Sequence, residues 1–174
     1  KLAILARVYR NPAKAVQNLN EDLKNANLPV DVRQNIKNWI EALQKWGAEK
    51  ADPGKFSSVE LIAFVTKSLP PVLNRKIAPS DPQLFNLLRM SGLLYDRLYS
   101  EPEGKHTQQL LYLLAECERS LAPNYWYSMN EIYLKECVVR YPKTPFTKKC
   151  FEAYRTGMQE RYSGRAIPEG VSRS

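Results

Sequence analysis

Apolar residues along this chain recur at intervals of three and four instead of alternating, so strand signals are nearly absent and the pattern predicts an all-α protein. The third predicted helix shows the rule best. Val32, Ile36, Trp39, Ile40, Leu43 and Trp46 keep an almost unbroken helical period, and Gly47 after them offers a left-handed stop. Helix starts are marked by short polar side chains beside proline or followed by Glu or Gln: Asn11-Pro12, Asp31 with Gln34, Ser57 with Glu60, Ser80 or Asp81 before Pro82 with Gln83, and Thr144-Pro145. The polar side chain accepts from a first-turn amide that has no helical partner, and proline sits where no donor is needed. About eight helices follow, over residues 2–9, 12–25, 32–46, 57–69, 82–100, 106–121, 125–140 and 145–162.

The sixth of these carries Leu110, Leu113, Leu114 and Cys117 on one flank and Leu111 and Ala115 on the other, which predicts a helix sandwiched between neighbours. Residues 48–56, with Asp52-Pro53-Gly54, read as a loop between an N-terminal helical part (1–50) and a helical stack (57–162). The last stretch, 163–174, loses the period and reads as a flexible tail, leaving one compact domain.

Composition narrows the classes. With 174 residues and 44% apolar content the chain can bury a core without a metal or a disulfide, which excludes disorder and stapled mini-proteins. Uninterrupted apolar runs such as Leu61 to Val65 fall far short of the roughly 20 residues that cross a bilayer, so no transmembrane segment is expected. The first residues, Lys1-Leu2-Ala3-Ile4, lack Met and fit either a trimmed piece or a mature protein after removal of a signal segment.

Candidate chemistry is sparse. His106 is the only histidine, and Cys117, Cys137 and Cys150 form no Cys-x-x-Cys pair, so metal sites, a catalytic triad and cofactor attachment all lack their ligands. No enzyme, cofactor or metal is expected. Charge is more informative: the net +8 divides into nine basic against five acidic groups in 1–50, six against six in 51–104, and eleven against seven in 105–174. Lys148, Lys149 and Arg155 turn away from the Phe151, Tyr154 and Met158 stripe of the last helix, either as a solvated face or as a surface for an acidic protein or another polyanion. Tyr125, Trp126 and Tyr127 concentrate three aromatics at a helix start, as a recognition surface or as a plug between hairpins.

The stretch Ile132 to Phe146, ending Arg140-Tyr141-Pro142-Lys143-Thr144-Pro145-Phe146, resembles the junction between two tetratricopeptide-like repeats. In that family one helix closes on an aromatic or basic residue and proline, and the next opens after a short polar turn. Leu113-Leu114-Ala115-Glu116-Cys117 resembles the first helix of the same repeat. The resemblance covers residues 106–162, and against a 34-residue repeat the segment 115–142 is about three residues longer, the surplus lying at Ala122-Pro123-Asn124. It implies a stack of antiparallel helical hairpins with a tetratricopeptide-like C-terminal part, of the kind found in exported proteins of the bacterial cell envelope, and hence a periplasmic or envelope-associated scaffold. A cytoplasmic location is the alternative. In such a hairpin Cys137 and Cys150 lie at nearly the same level on either side of the turn. They are either bridged or two small buried side chains.

The expected role is therefore non-enzymatic protein binding or scaffolding, with a groove along the sixth helix and Tyr125–Tyr127 engaging a protein segment and the basic last helix steering an acidic partner. Two alternatives stand beside it: a basic helical protein that binds nucleic acid or another polyanion, and a subunit of a larger assembly whose chemistry lies in another chain.

Overall fold

A computed structural model describes residues 2–70, 77–122 and 129–162, without the side chains of 160–162. Among these residues the chain is helical throughout, with no strand. The elements are α1 (Leu2–Arg7), α2 (Pro12–Asp22), α3 (Val30–Gly47), a single 3₁₀ turn (Pro53–Lys55), α4 (Ser58–Ser68), α5 (Gln83–Ser100), α6 (Thr107–Leu121), α7 (Asn130–Arg140) and α8 (Pro145–Tyr162).

Most starts form by the chemistry legible in the sequence. Asn11 Oδ1 accepts the Lys14 amide at 2.9 Å with Pro12 opening α2. Ser57 and Glu60 form a reciprocal capping box, each side chain accepting the other's backbone N–H. Asp81 Oδ1 accepts the Gln83 amide at 2.9 Å. Thr144 and Thr147 exchange the same kind of bond at the head of α8, amide to hydroxyl in both directions.

Both ends of α3 differ from expectation. The helix begins at Val30, directly after Pro29, so Asp31 lies inside the first turn, where its carboxylate meets the positive end of the helix dipole instead of capping it. Gly47 is the last helical residue and supplies no left-handed stop. Ala48 closes the helix in right-handed backbone (φ −86°, ψ −5°), and its amide reaches the Gln44 and Lys45 carbonyls, so the end needs no left-handed residue. At the other end of the scale, α1 stops at Arg7, short of Tyr9, and Arg10 takes φ 47° to turn the chain into α2.

The central element is α6. It packs against α5 on one side and α7 on the other and meets α4 and α8 more sparsely, which explains its two apolar flanks. Leu110, Leu113, Leu114, Cys117 and Leu121 join a large cluster that begins at Ala6 and draws on α1 to α6, each fully buried leucine contributing about 2 kcal/mol. Residues on both sides of the 48–56 loop share this cluster, and Pro53 within the loop is itself buried. Helix α1 crosses α5 at close range: a Cβ on Gly92 would lie 2.0 Å from the Arg7 carbonyl oxygen, so only glycine admits that crossing.

A second, smaller cluster lies on the other side of α6 and holds Leu111, Ala115, Leu134, Cys137 and Cys150, with Leu98, Tyr112 and Tyr133 bridging the two.

Candidate functional site

The sequence-predicted residues fall in three places. Tyr125, Trp126 and Tyr127 lie outside the described residues. Cys137 and Cys150 are joined by a disulfide, with Cα atoms 6.2 Å apart and both side chains fully buried, linking α7 to α8 across a separation of 13 residues. Lys148, Lys149 and Arg155 are exposed on α8, opposite the buried Cys150 and Met158. Their immediate neighbours differ. Lys148 faces Glu152 at 3.9 Å, whereas Lys149 sits 5.0 Å over the Phe146 ring, and Arg155 lies two turns further along.

The α7–α8 junction is held by polar groups as well as by sulfur. Gln108, buried near the start of α6, donates to the Cys137 and Tyr141 carbonyls at 3.2 and 3.3 Å, and its own Oε1 accepts the Thr144 hydroxyl. The Thr147 hydroxyl donates to the Tyr141 carbonyl. Lys143, in the turn between the helices, adopts φ 72°, a backbone state that favours glycine. Outside the turn, Arg140 pairs with Glu103 and Glu136, tying the end of α7 to the chain just ahead of α6.

Charged groups inside the fold are paired across elements. Arg89 on α5, with only 6% of its side chain exposed, bonds Glu49 at 2.7 Å and lies 4.7 Å from the Trp46 ring and 5.6 Å from Phe64. Arg7 on α1 reaches Glu118 on α6 at 2.5 Å. Burial pushes the Glu118 carboxyl above its ordinary range, and the Arg7 guanidinium opposes that shift. Tyr133 is pushed up as well, by burial first and then by Glu118. The free thiol of Cys117 is fully buried and raised by burial and the flanking carboxylates, so it behaves as a small apolar side chain and not as a nucleophile. These are ties between helices. Among the described residues no group of three or more His, Cys, Asp or Glu is placed to hold a metal ion, and no helix is long and apolar enough to cross a membrane.

Open concave surface lies elsewhere. A groove of about 520 Å³ runs between α4 and α6, with Val59, Ile62, Ala63, Thr66 and Lys67 on one wall and His106 and Gln109 on the other. The α4 residues sit three and four apart and form one stripe, and Val59 is 57% exposed. One turn beyond Gln109, Tyr112 is half-buried and its ring meets Phe146 of α8 at 6.2 Å. Sequence reasoning passed over this groove. The signal was that α4 has apolar residues on two sides, Leu61 and Val65 inward and Val59, Ile62 and Ala63 along the groove.

Compared with protein-family models, with curated proteins and with solved structures, the chain finds no match.

Proposed function

We propose that this chain is a non-enzymatic protein-binding or scaffolding module of the bacterial cell envelope, a stack of antiparallel helical hairpins with a tetratricopeptide-like C-terminal part. The observation that carries the reading is the open α4–α6 groove, a helical stripe with exposed Val59 and Ala63 on one wall facing His106 and Gln109 on the other. The disulfide between α7 and α8 supports the compartment, because such bridges persist where the surroundings are oxidising, the periplasm included. The alternative of a polyanion binder draws less support: Glu152 faces Lys148, and Glu103 and Glu136 hold Arg140, so carboxylates interrupt the basic surface. Membership of a larger assembly is compatible with the same groove.

The test is photo-crosslinking from Gln109 and, separately, Thr66 in the chain exported to a bacterial periplasm. A discrete protein adduct from these positions, absent from the same cross-linker at Tyr99, is expected. No adduct from either groove position overturns the reading.

A further inference from the structure

We infer that the outward face of α7 pairs with the same face of a second copy of this chain, the two helices running antiparallel about a two-fold axis. This surface is separate from the α4–α6 groove and does not depend on the reading given to it. Helix α7 turns Asn130, Leu134 and Cys137 into the fold, and the Cys137–Cys150 bridge fixes it there. On the opposite side lie Ile132, Lys135, Glu136 and Val139, all exposed, with Ile132 58% and Val139 67% accessible. Positions 132, 136 and 139 follow the four- and three-residue spacing of a seam along which one helix packs on another, with Lys135 beside it.

The face is complementary to itself, and that selects a second copy as its occupant. In a two-fold pair each residue meets the one equally far from the axis on the partner helix, and the contact is repeated in reverse. An axis between Lys135 and Glu136 sets Ile132 against the partner's Val139 and Lys135 against the partner's Glu136. Further out, Glu131 faces the partner's Arg140, and exposed Met129 faces the partner's Pro142, which is exposed as well. Apolar residues meet apolar residues and opposite charges meet in all four kinds of pair. Arg140 already binds Glu103 and Glu136 of its own chain, and its five-donor guanidinium can extend that network across the axis. A parallel pair would instead set Lys135 against the partner's Lys135 and Glu136 against the partner's Glu136, and a partner helix of one charge sign would be repelled along part of the seam.

The size of the face sets the strength of the pair. A helix of 11 residues is about 16 Å long, so two such faces bury less than the roughly 1,200–2,000 Å² of a stable interface, and the dissociation constant is expected on the order of 100 µM.

The test is sedimentation equilibrium of the intact, oxidised chain from about 10 µM to about 1 mM, a range that brackets that constant. The mass should rise toward that of a dimer at the upper end. Lys135→Glu, Glu136→Lys and Ile132→Glu, all at exposed positions that leave the circular dichroism spectrum unchanged, should each weaken association by about tenfold or more. Val59→Glu, on α4, should not. The deciding measurement mixes the Lys135→Glu and Glu136→Lys chains in equal amounts. Each alone sets like charges across the axis, whereas the mixture sets opposite charges face to face at both contacts and should restore association to the native level. A monomer at every concentration overturns the inference, as does association indifferent to the three α7 variants. Charge variants that weaken association singly and stay monomeric when mixed overturn it too, because the antiparallel register requires the rescue.

Discussion

The two sides of α6 are stabilised in different ways. On the side of α1 to α5 the contact is a broad cluster rich in leucine, including Leu87, Leu88, Leu94, Leu110 and Leu114, all essentially inaccessible. On the side of α7 and α8 the described buried set is five residues, two of which are the bridged cysteines, with Gln108, Thr144 and Thr147 alongside. Where apolar burial is thin, a covalent link and a buried hydrogen-bond network hold the last two helices in place. The first region is secured by hydrophobic area and is indifferent to redox state; the second is conditional on an oxidising environment.

The largest expected effect lies in the first region. Leu94→Ala should cost about 3–5 kcal/mol by urea denaturation, and should destabilise every helix together, because it leaves a cavity in the shared cluster. Next comes the bridge. Cys137→Ser with Cys150→Ser should cost about 3 kcal/mol, through the closed loop that the unfolded chain no longer carries, with the loss concentrated in α7 and α8.

The contrast also explains what the sequence made legible. Helix number, most starts and the sandwiched position of α6 were readable because they depend on local spacing and caps: Asn11, Ser57 with Glu60, and Thr144 each act within one turn. The ends of α3 were not. Asp31 looks like a cap until the chain is seen to enter the helix at Val30, and Gly47 looks like a stop until Ala48 closes the helix with ordinary backbone. The groove was hidden for a related reason. Val59, Ala63, His106 and Gln109 are far apart in sequence, and nothing local says that α4 and α6 diverge to leave space between them. Gly92 and Arg7 belong to the same class, since the crossing that makes that glycine necessary is tertiary.

Two smaller effects sharpen the comparison. Because burial raises the Glu118 carboxyl, the folded state holds that proton more tightly than the unfolded chain, so the Glu118 contribution to stability falls as pH rises from its ordinary value through the raised one. Glu118→Gln should flatten that part of the stability–pH profile, and an unchanged slope would show that the carboxyl is not the group responsible. In the second region, Lys143→Gly should raise stability by about 0.5–1 kcal/mol, read as a slower loss of α7–α8 structure in denaturant, because the residue already occupies left-handed backbone.

Amide hydrogen exchange on the intact chain, with and without reductant, tests the division of the molecule most directly. Reduction should release protection in α7, α8 and the start of α6 while α2 to α5 keep theirs, since the leucine-rich cluster does not depend on the Cys137–Cys150 bond. Equal loss of protection across all helices, or no loss in α7 and α8, would contradict the account.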